Sequence, residues 1–370
     1  MERHLVLAGG GHAHMVTLAN LKQITEKGYR VTVIGPSPYH YYSGMGPGML
    51  GGTYLPDEIR FDTRQQVEAH GGIFMQDLVR RVVPDRKTIE LDSGRTVSYD
   101  VISFNTGSHV SQDIVKKNDG DLYSVKPIER LRDARKRIQQ LISEGRTSVV
   151  VVGGGPAAAE IAGNIWQLAG GRKGNRLAIK LFSSHEFMSR FSPKIRFRTR
   201  RILERRGIEI LENSPVQHIE ARKVTLKSGR MHEPDIIFLA TGVKPSKLFV
   251  RSGLPTGPDG GLLVNRYLQS PAYPEIFGGG DCIYFKEEPL DKVGVYAVRE
   301  NPVLYHNLTA ALANRPLMPF KTGGDYLLIF NLGGGTGVLH KKRITFSGRI
   351  AFWIKDYIDR KFMKKFQRMD

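Results

Sequence analysis

Residues 5–14, LVLAGGGHAH, constrain this chain more than any other stretch. Leu5-Val6-Leu7-Ala8 is a short apolar run of the kind that forms a buried strand. It breaks into Gly9-Gly10-Gly11 and then into a stretch from His12 to about Lys27 that reads as a helix. Strand, glycine turn and helix, in that order, open a dinucleotide-binding unit. Gly9 permits the tight turn. A side chain at position 11 would stand where a pyrophosphate must approach the backbone, and Gly11 removes it. The helix N-terminus, starting at His12 and Ala13, offers unpaired N–H groups and a positive dipole end to phosphate. His14 stands where the fingerprint has its third glycine, so the motif is incomplete when taken alone.

A second copy makes it much stronger. Residues 148–152, SVVVV, lead into Gly153-Gly154-Gly155-Pro156-Ala157-Ala158, with Gly153, Gly155 and Ala158 in the GxGxxA form. Glu160 follows, on the first turn of the next helix by this reading. Residues 72–107 and 207–242 also repeat one another. Gly72, Ser93, Gly94, Arg95, Asp100, Thr106 and Gly107 match Gly207, Ser228, Gly229, Arg230, Asp235, Thr241 and Gly242 at one constant offset. Each half carries hairpin-like runs closed by Ser-Gly-Arg, then a buried strand running into Thr-Gly. A duplication of this length indicates two related domains.

The strand at 30–34 closes on Gly35, where a FAD-binding unit usually carries an acid for the ribose hydroxyls. Ser37 or backbone groups must substitute. Residues 39–49, rich in aromatics and glycine, read as a loop over a flat ring. The strand at 176–182 closes on Ser183-Ser184-His185, again without an immediate acid. With Arg190 nearby, NADPH stands beside NADH as a ligand of the second unit. After Gly242 the chain must return to the first domain. Residues 271–282 serve this return: a short run enters Gly278-Gly279-Gly280-Asp281, where glycine allows close backbone approach and Asp281 can accept hydrogen bonds from a ribityl chain. A helix over 293–314, kinked at Pro302, starts around Gly294-Val295-Tyr296 and could aim its dipole at a flavin.

The expected fold class is therefore α/β, with two Rossmann-like dinucleotide-binding domains. A FAD-binding domain spans 1–109 and 247–320, with an NAD(P)H-binding domain, 110–246, inserted in it. Residues 321–370 add a β-hairpin, with strands at 326–332 and 342–346, and a basic amphipathic helix over 349–367. Ile350, Trp353, Ile354, Tyr357, Ile358, Phe362 and Phe366 recur on one helix face, with Met363 beside them. Lys355, Arg360, Lys361, Lys364, Lys365 and Arg368 supply charge. Such a helix suits an anionic membrane surface through 349–368. It equally suits docking on the protein's own core or on a second subunit in a homodimer.

Composition narrows the chemistry. Cys282 is the single cysteine, which removes disulfide frameworks, cysteine metal clusters and dithiol reductases. No histidine spacing suggests a metal site. The N-terminus is a fold strand rather than a signal peptide, and no run approaches the roughly 20 apolar residues of a membrane span. The expected location is cytoplasmic, or peripheral on the inner face of the cell membrane. A net charge of +19 favours anionic partners, but no recognition motif supports nucleic acid.

As a set, LVLAGGGHAH, YYSGMGPGML, VYAVRENPVLYHNL and RIAFWIKDYIDRKFMKKF resemble the two-dinucleotide-binding flavoproteins, and among them type II NADH dehydrogenases and sulfide:quinone reductases. The pattern is most similar to the NADH dehydrogenase-like domain sometimes fused to selenide, water dikinase. The resemblance implies FAD held by Gly9, Gly11, Thr106, Gly107 and Asp281; the residue pattern itself adds His12, Ala13, Ser37, Gly280 and Val295 as FAD-binding candidates. It implies NADH or NADPH at Gly153, Gly155, Ala158, Glu160 and Gly242, with Glu160 similar to a family glutamate near the nicotinamide. The chain departs from the pattern in three ways: it lacks both ribose acids, it lacks the paired redox cysteines of sulfide:quinone reductases, and Tyr296-Ala297-Val298-Arg299-Glu300 occupies the region of the dehydrogenases' Gln-centred quinone motif.

The leading expectation is an FAD-dependent NAD(P)H dehydrogenase passing hydride to flavin and electrons onward, with a quinone as the candidate acceptor and Glu160, Tyr296 and Glu300 as candidate catalytic groups. A sulfur- or selenium-linked flavin oxidoreductase is the second reading. A flavin-bound redox sensor or scaffold acting through its tail is the third.

Overall fold

The computed structural model describes residues 3–118, 120–171 and 177–367. Arg176 and Arg368 of the expected strand and helix lie outside them. Two five-stranded sheets, parallel throughout, carry the α/β architecture. The first runs Ile276–Gly278, Val101–Phe104, His4–Ala8, Arg30–Gly35, Ile73–Gln76. The second runs Leu122–Ser124, Ile236–Leu239, Thr147–Val152, Leu177–Phe182, Glu209–Leu211. In both, the strand before the glycine turn is central. His4–Ala8 is buried at every position, which is why it reads as a continuous apolar run rather than an alternating one.

The internal repeat is structural. Thr88–Leu91 and Lys223–Leu226 are the middle strands of two antiparallel meanders. Leu91 and Leu226 each donate to the carbonyl of the arginine closing the turn, both at 2.9 Å. The carboxylates of Asp100 and Asp235 accept a backbone N–H near the start of each central strand, from His4 and Ser148, both at 2.7 Å. Gly9 (φ +98°) and Gly153 (φ +142°) show the same necessity twice. A Cβ on either would lie 2.2 Å from the carbonyl oxygen of Asn105 or Ala240, which follow the neighbouring strand.

Four local expectations need correction. The stretch after Gly11 is broken: a 3₁₀ turn His12–His14, then helices Met15–Ala19 and Leu21–Thr25. Asn20 sits at the break, and its amide donates to the Val16 carbonyl at 2.8 Å, competing with the backbone ladder. Residues 39–49 do not form a loop. Tyr39–Tyr41 pairs with Arg60–Asp62, and Gly46–Leu50 is helical with proline in its first turn. Glu160 stands in the second turn of helix Pro156–Leu168, because the helix starts at Pro156. The C-terminal hairpin is a three-stranded sheet, Leu328–Asn331, Gly337–Lys341 and Ile344–Gly348. The glycines at 333–335 and 337 hid its middle strand.

The terminal helix, Arg349–Gln367, packs on this sheet, and the sheet packs on helix Pro156–Leu168. There the backbone at Leu332 crosses Gly163 so closely that a Cβ on Gly163 would lie 2.1 Å from the Leu332 carbonyl oxygen. No described helix is long and apolar enough to cross a membrane.

Candidate functional site

At the carboxyl ends of the first sheet lies a cleft running from Gly35, Ser37 and Leu78 at one end to Lys126, Asp281 and Gly294 at the other. Ligands of open parallel sheets bind there, outside the strand ends. Of the residues expected at FAD, Gly9, Gly11, His12, Ser37, Thr106, Gly107, Gly280 and Asp281 line this cleft. Ala13 and Val295 do not. The Ala13 N–H is taken by the Asn105 side chain at 3.3 Å, and Ala13 packs against Gly279. Val295 gives way to its neighbours Gly294 and Ala297 on the cleft wall.

Asn105 had no signal in the sequence beyond its place before Thr-Gly. It ties the two glycine segments together, accepting from Ala13 and donating to the Gly279 carbonyl at 2.7 Å. Lys126 was missed as well. Its ammonium meets Asp281 at 2.5 Å, and Ser108 donates to the same oxygen at 2.6 Å. These partners overcome burial and hold the Asp281 carboxyl below its ordinary range. His12 and His40 meet across 3.3 Å. Burial, with the Lys126 ammonium adding to it, pushes them down to about 4 and about 3, so both are neutral at pH 7.

A second polar cluster lies where helix Pro156–Leu168, the C-terminal sheet and the segment at Gly44 meet the terminal helix. Glu160 is half-buried and accepts the Asn331 N–H at 2.7 Å. Burial lifts its carboxyl to about 7, against the pull of Lys355. Lys355 donates to Asp359 at 2.7 Å and to the Gly44 carbonyl at 2.9 Å. Tyr42 donates to the other Asp359 oxygen at 3.0 Å, and Tyr54 to Asp356 at 2.8 Å. The expected apolar face of the terminal helix is therefore split. Phe362, Met363 and Phe366 turn inward, with Phe362 stacked on Tyr42 and His12. Ile350, Trp353 and Tyr357 stay in solvent. The buried Lys355–Asp359 pair takes the place between, and an i,i+4 lysine–aspartate pair inside an apolar stripe was its only trace in the sequence.

Tyr296 and Glu300 are not brought to Glu160. They share a small cavity behind Asp281 with Lys292. Glu300 is buried, accepts the Gly280 N–H at 2.5 Å, and is pushed up to about 7 by burial. Tyr296 lies edge-on to Tyr326. Gly155 caps helix Pro156–Leu168 in an extended conformation, Ala158 is buried in that helix, and Gly242 (φ +95°) follows the strand Ile236–Leu239. Cys282 is fully buried, and burial raises its thiol to about 11, so it holds no thiolate at neutral pH.

The chain resembles known proteins over most of its length. The chain is 27% identical over 281 residues to ferroptosis suppressor protein 1 of Taeniopygia guttata, covering 72% of this chain and 71% of that one. It is 22% identical to the sulfide-quinone reductase of Aquifex aeolicus, covering 85% and 78%. Among solved structures, the fold matches the sulfide:quinone oxidoreductase of Aquifex aeolicus with a TM-score of 0.81 at 20% identity, over 99% of this chain and 91% of that one. It matches NDH2 of Plasmodium falciparum, solved with NADH, with a TM-score of 0.82 at 16% identity, over 99% and 98%. The model of the family described as pyridine nucleotide-disulphide oxidoreductase matches residues 3–308. With that match over most of its length, the chain belongs to the pyridine nucleotide-disulphide oxidoreductase family, and is an oxidoreductase without the disulphide.

Proposed function

We propose that the protein is an FAD-dependent NAD(P)H dehydrogenase that delivers electrons to a quinone. The observation that carries the reading is the cleft of the first sheet, where Gly9 leaves no room for a side chain against the Asn105 carbonyl. Its residues fit FAD. Gly9 and Gly11 leave the backbone open to a pyrophosphate, with Thr106 and Gly107 opposite. Ser37 stands at the ribose end, and Gly280 and Asp281 stand by the ribityl end. His12 closes the far wall. Ala13 acts through its bond to Asn105, and Val295 through the helix start it helps to form. Lys126 and Ser108 orient the Asp281 carboxylate as an acceptor. The start of helix Gly294–Leu312 presents its positive end to the same cleft and favours negative charge there.

FAD, when bound, supplies the two-electron chemistry between nicotinamide and acceptor. The turn at Gly153 and Gly155, with Ala158 in the helix after it and Gly242 after the adjoining strand, would take the nicotinamide dinucleotide, and the lack of an acid at Ser183 admits NADPH beside NADH. Glu160, poised near neutrality and bonded to the backbone of Asn331, orients the nicotinamide end. Quinone reduction needs protons, and Lys355 and Asp359 lie on the helix whose outer face stays apolar. Tyr296 and Glu300 form a second proton-exchanging pair on the opposite side of Asp281. The names of the quinone-linked relatives support the acceptor class. The buried, protonated Cys282 supports no sulfur- or selenium-linked thiol step.

Rapid mixing of the FAD-loaded protein with NADH and with NADPH tests this. The flavin absorbance bleaches with at least one of them and returns on adding a short-chain quinone. If neither nucleotide bleaches it, the dehydrogenase reading is lost. If it bleaches but no quinone restores it, only the acceptor is wrong.

A further inference from the structure

Among the described residues, four charged side chains line the cleft of the first sheet: Asp77 at one end, and Lys126, Glu129 and Asp281 at the other. Lys126 is the one lysine or arginine in that lining. A cleft suited to a diphosphate thus holds a single full positive charge, at the end where Gly280 and the start of helix Gly294–Leu312 lie. His12 and His40 line the cleft too, and both are neutral at pH 7. Lys292, behind Asp281, is already engaged: it pairs with Asp259 at 2.8 Å and donates to the Ile283 carbonyl.

This cation comes from the other half of the molecule. Lys126 follows strand Leu122–Ser124 at the edge of the second sheet, whereas Asp281 follows strand Ile276–Gly278 at the edge of the first. The Ser124 hydroxyl donates to the Lys126 carbonyl at 2.6 Å and fixes the backbone there. The ammonium then reaches across to Asp281 at 2.5 Å and donates to the Ser108 hydroxyl at 3.0 Å. Only 26% of the lysine side chain and 11% of the aspartate side chain are exposed. The pair is neutral while both members stay. Removing either one leaves a full charge with little water to screen it.

A flavin reduced by a nicotinamide gains two electrons and one proton, so a neutral ring becomes an anion. Charge held beside the ring decides how readily this happens. The start of helix Gly294–Leu312 offers about half an elementary charge, and Lys126 offers a whole one. We propose that Lys126 sets the reduction potential of the flavin: by cancelling the charge of Asp281 it lets the ring take up negative charge. The half of the molecule with the second glycine turn thereby supplies electrostatics to the cleft of the first. The inference rests on the FAD reading of that cleft, and goes beyond it by assigning the tuning of the ring to one residue. The role is one of charge alone, and no bond to Lys126 forms or breaks.

The ratio of reduced to oxidised flavin at a fixed potential tests it on the full-length, FAD-loaded protein, freed of unbound FAD. Xanthine and xanthine oxidase reduce it slowly beside a reference dye at pH 8, where the Asp281 carboxylate stays ionised. No nicotinamide enters the measurement, so the result does not depend on the second glycine turn. Lys126→Met leaves Asp281 uncompensated and lowers the ratio at least about tenfold, a fall of about 30 mV for two electrons. Asp281→Asn keeps an oxygen that can accept from the ribityl chain, leaves Lys126 uncompensated, and raises the ratio. Lys126→Met with Asp281→Asn is neutral again and recovers more than half of the loss. Lys126→Arg keeps the wild-type ratio. If Lys126→Met also keeps it, the lysine only braces its loop and the proposal fails. If the two single variants shift the ratio in the same direction, or the double variant stays as low as Lys126→Met, the cause is not charge and the proposal is wrong. Because the single variants carry opposite predictions, either one decides the sign where the other does not fold. A wild-type protein that takes up no FAD overturns the reading of the cleft beneath the inference.

Discussion

Lys355 and Asp359 form an ion pair with little access to water: 12% and 5% of their side chains are exposed. Removing one partner of such a pair strands a charge in low dielectric, whereas removing both does not. Lys355→Met is therefore expected to destabilise the protein by about 3 kcal/mol, read as a lower urea midpoint. Lys355→Met with Asp359→Leu should recover more than half of that loss, and a double variant as unstable as the single would show that the pair is not the reason. Gly35 offers a residue-level gain. Its backbone lies outside the left-handed region, and a Cβ there would meet nothing closer than 3.7 Å. The position is where dinucleotide units carry the ribose acid. Gly35→Asp should tighten retention of FAD on dilution by about tenfold, the value of one hydrogen bond to a charged group. Flavin fluorescence released on dilution measures it, and unchanged or faster release would mean that the ribose lies elsewhere.

Elements in this protein are held together by backbone approaching backbone, and helix Pro156–Leu168 is the clearest case. Gly163 lets Leu332 and Gly333 cross it. Arg206 reinforces the junction, donating to the Gly333 carbonyl at 2.9 Å and to that of Leu332, with its guanidinium over Trp166. Gly163→Val should pry the C-terminal sheet off while leaving both parallel sheets intact. Limited proteolysis would then cut within 321–348 well before the rest of the chain, and an unchanged cleavage pattern would show that the sheet is anchored elsewhere. The same contact shows what the sequence can and cannot say. Strands buried on both faces, such as His4–Ala8 and Thr147–Val152, announce themselves as unbroken apolar runs, and the constant offset between Thr88–Leu91 and Lys223–Leu226 reveals the duplication. Those signals are local or repeated. Gly163 looks like any helix glycine until Leu332 is placed against it. The terminal helix showed its apolar residues but not the split between them, because Lys355 finds its partners, Gly44 and Glu160, hundreds of residues earlier in the chain. The Lys126–Asp281 and His12–His40 contacts were hidden for the same reason: they depend on how distant loops converge on one cleft.

Over the whole molecule the buried titratable groups oppose one another, and this sets how stability depends on pH. Glu160 and Glu300 are lifted from 4.5 to about 7, in each case chiefly by burial. Folded, they bind more protons than unfolded between those values. Their contribution is complete below pH 4.5 and is lost as pH rises to about 7. His12, His14 and His40 are lowered from 6.5 to about 4, about 4 and about 3, again chiefly by burial. Folded, they bind fewer protons than unfolded. Their contribution is complete above pH 6.5 and is lost as pH falls towards 4. Between pH 4.5 and 6.5 three rising contributions meet two falling ones. The net slope is that of about one group, roughly 1.4 kcal/mol per pH unit at most. From 6.5 to about 7 only the two falling contributions of these five groups remain, so their sum passes through a shallow maximum near pH 6.5. Glu300→Gln keeps an oxygen that can accept the Gly280 N–H and removes one falling contribution. Its stability should rise about twice as steeply between pH 4.5 and 6.5, and fall about half as steeply above. Urea midpoints at half-unit pH steps, for wild type and variant side by side, decide it. Parallel curves would mean that Glu300 titrates alike in the folded and unfolded chain, and that burial does not hold its proton.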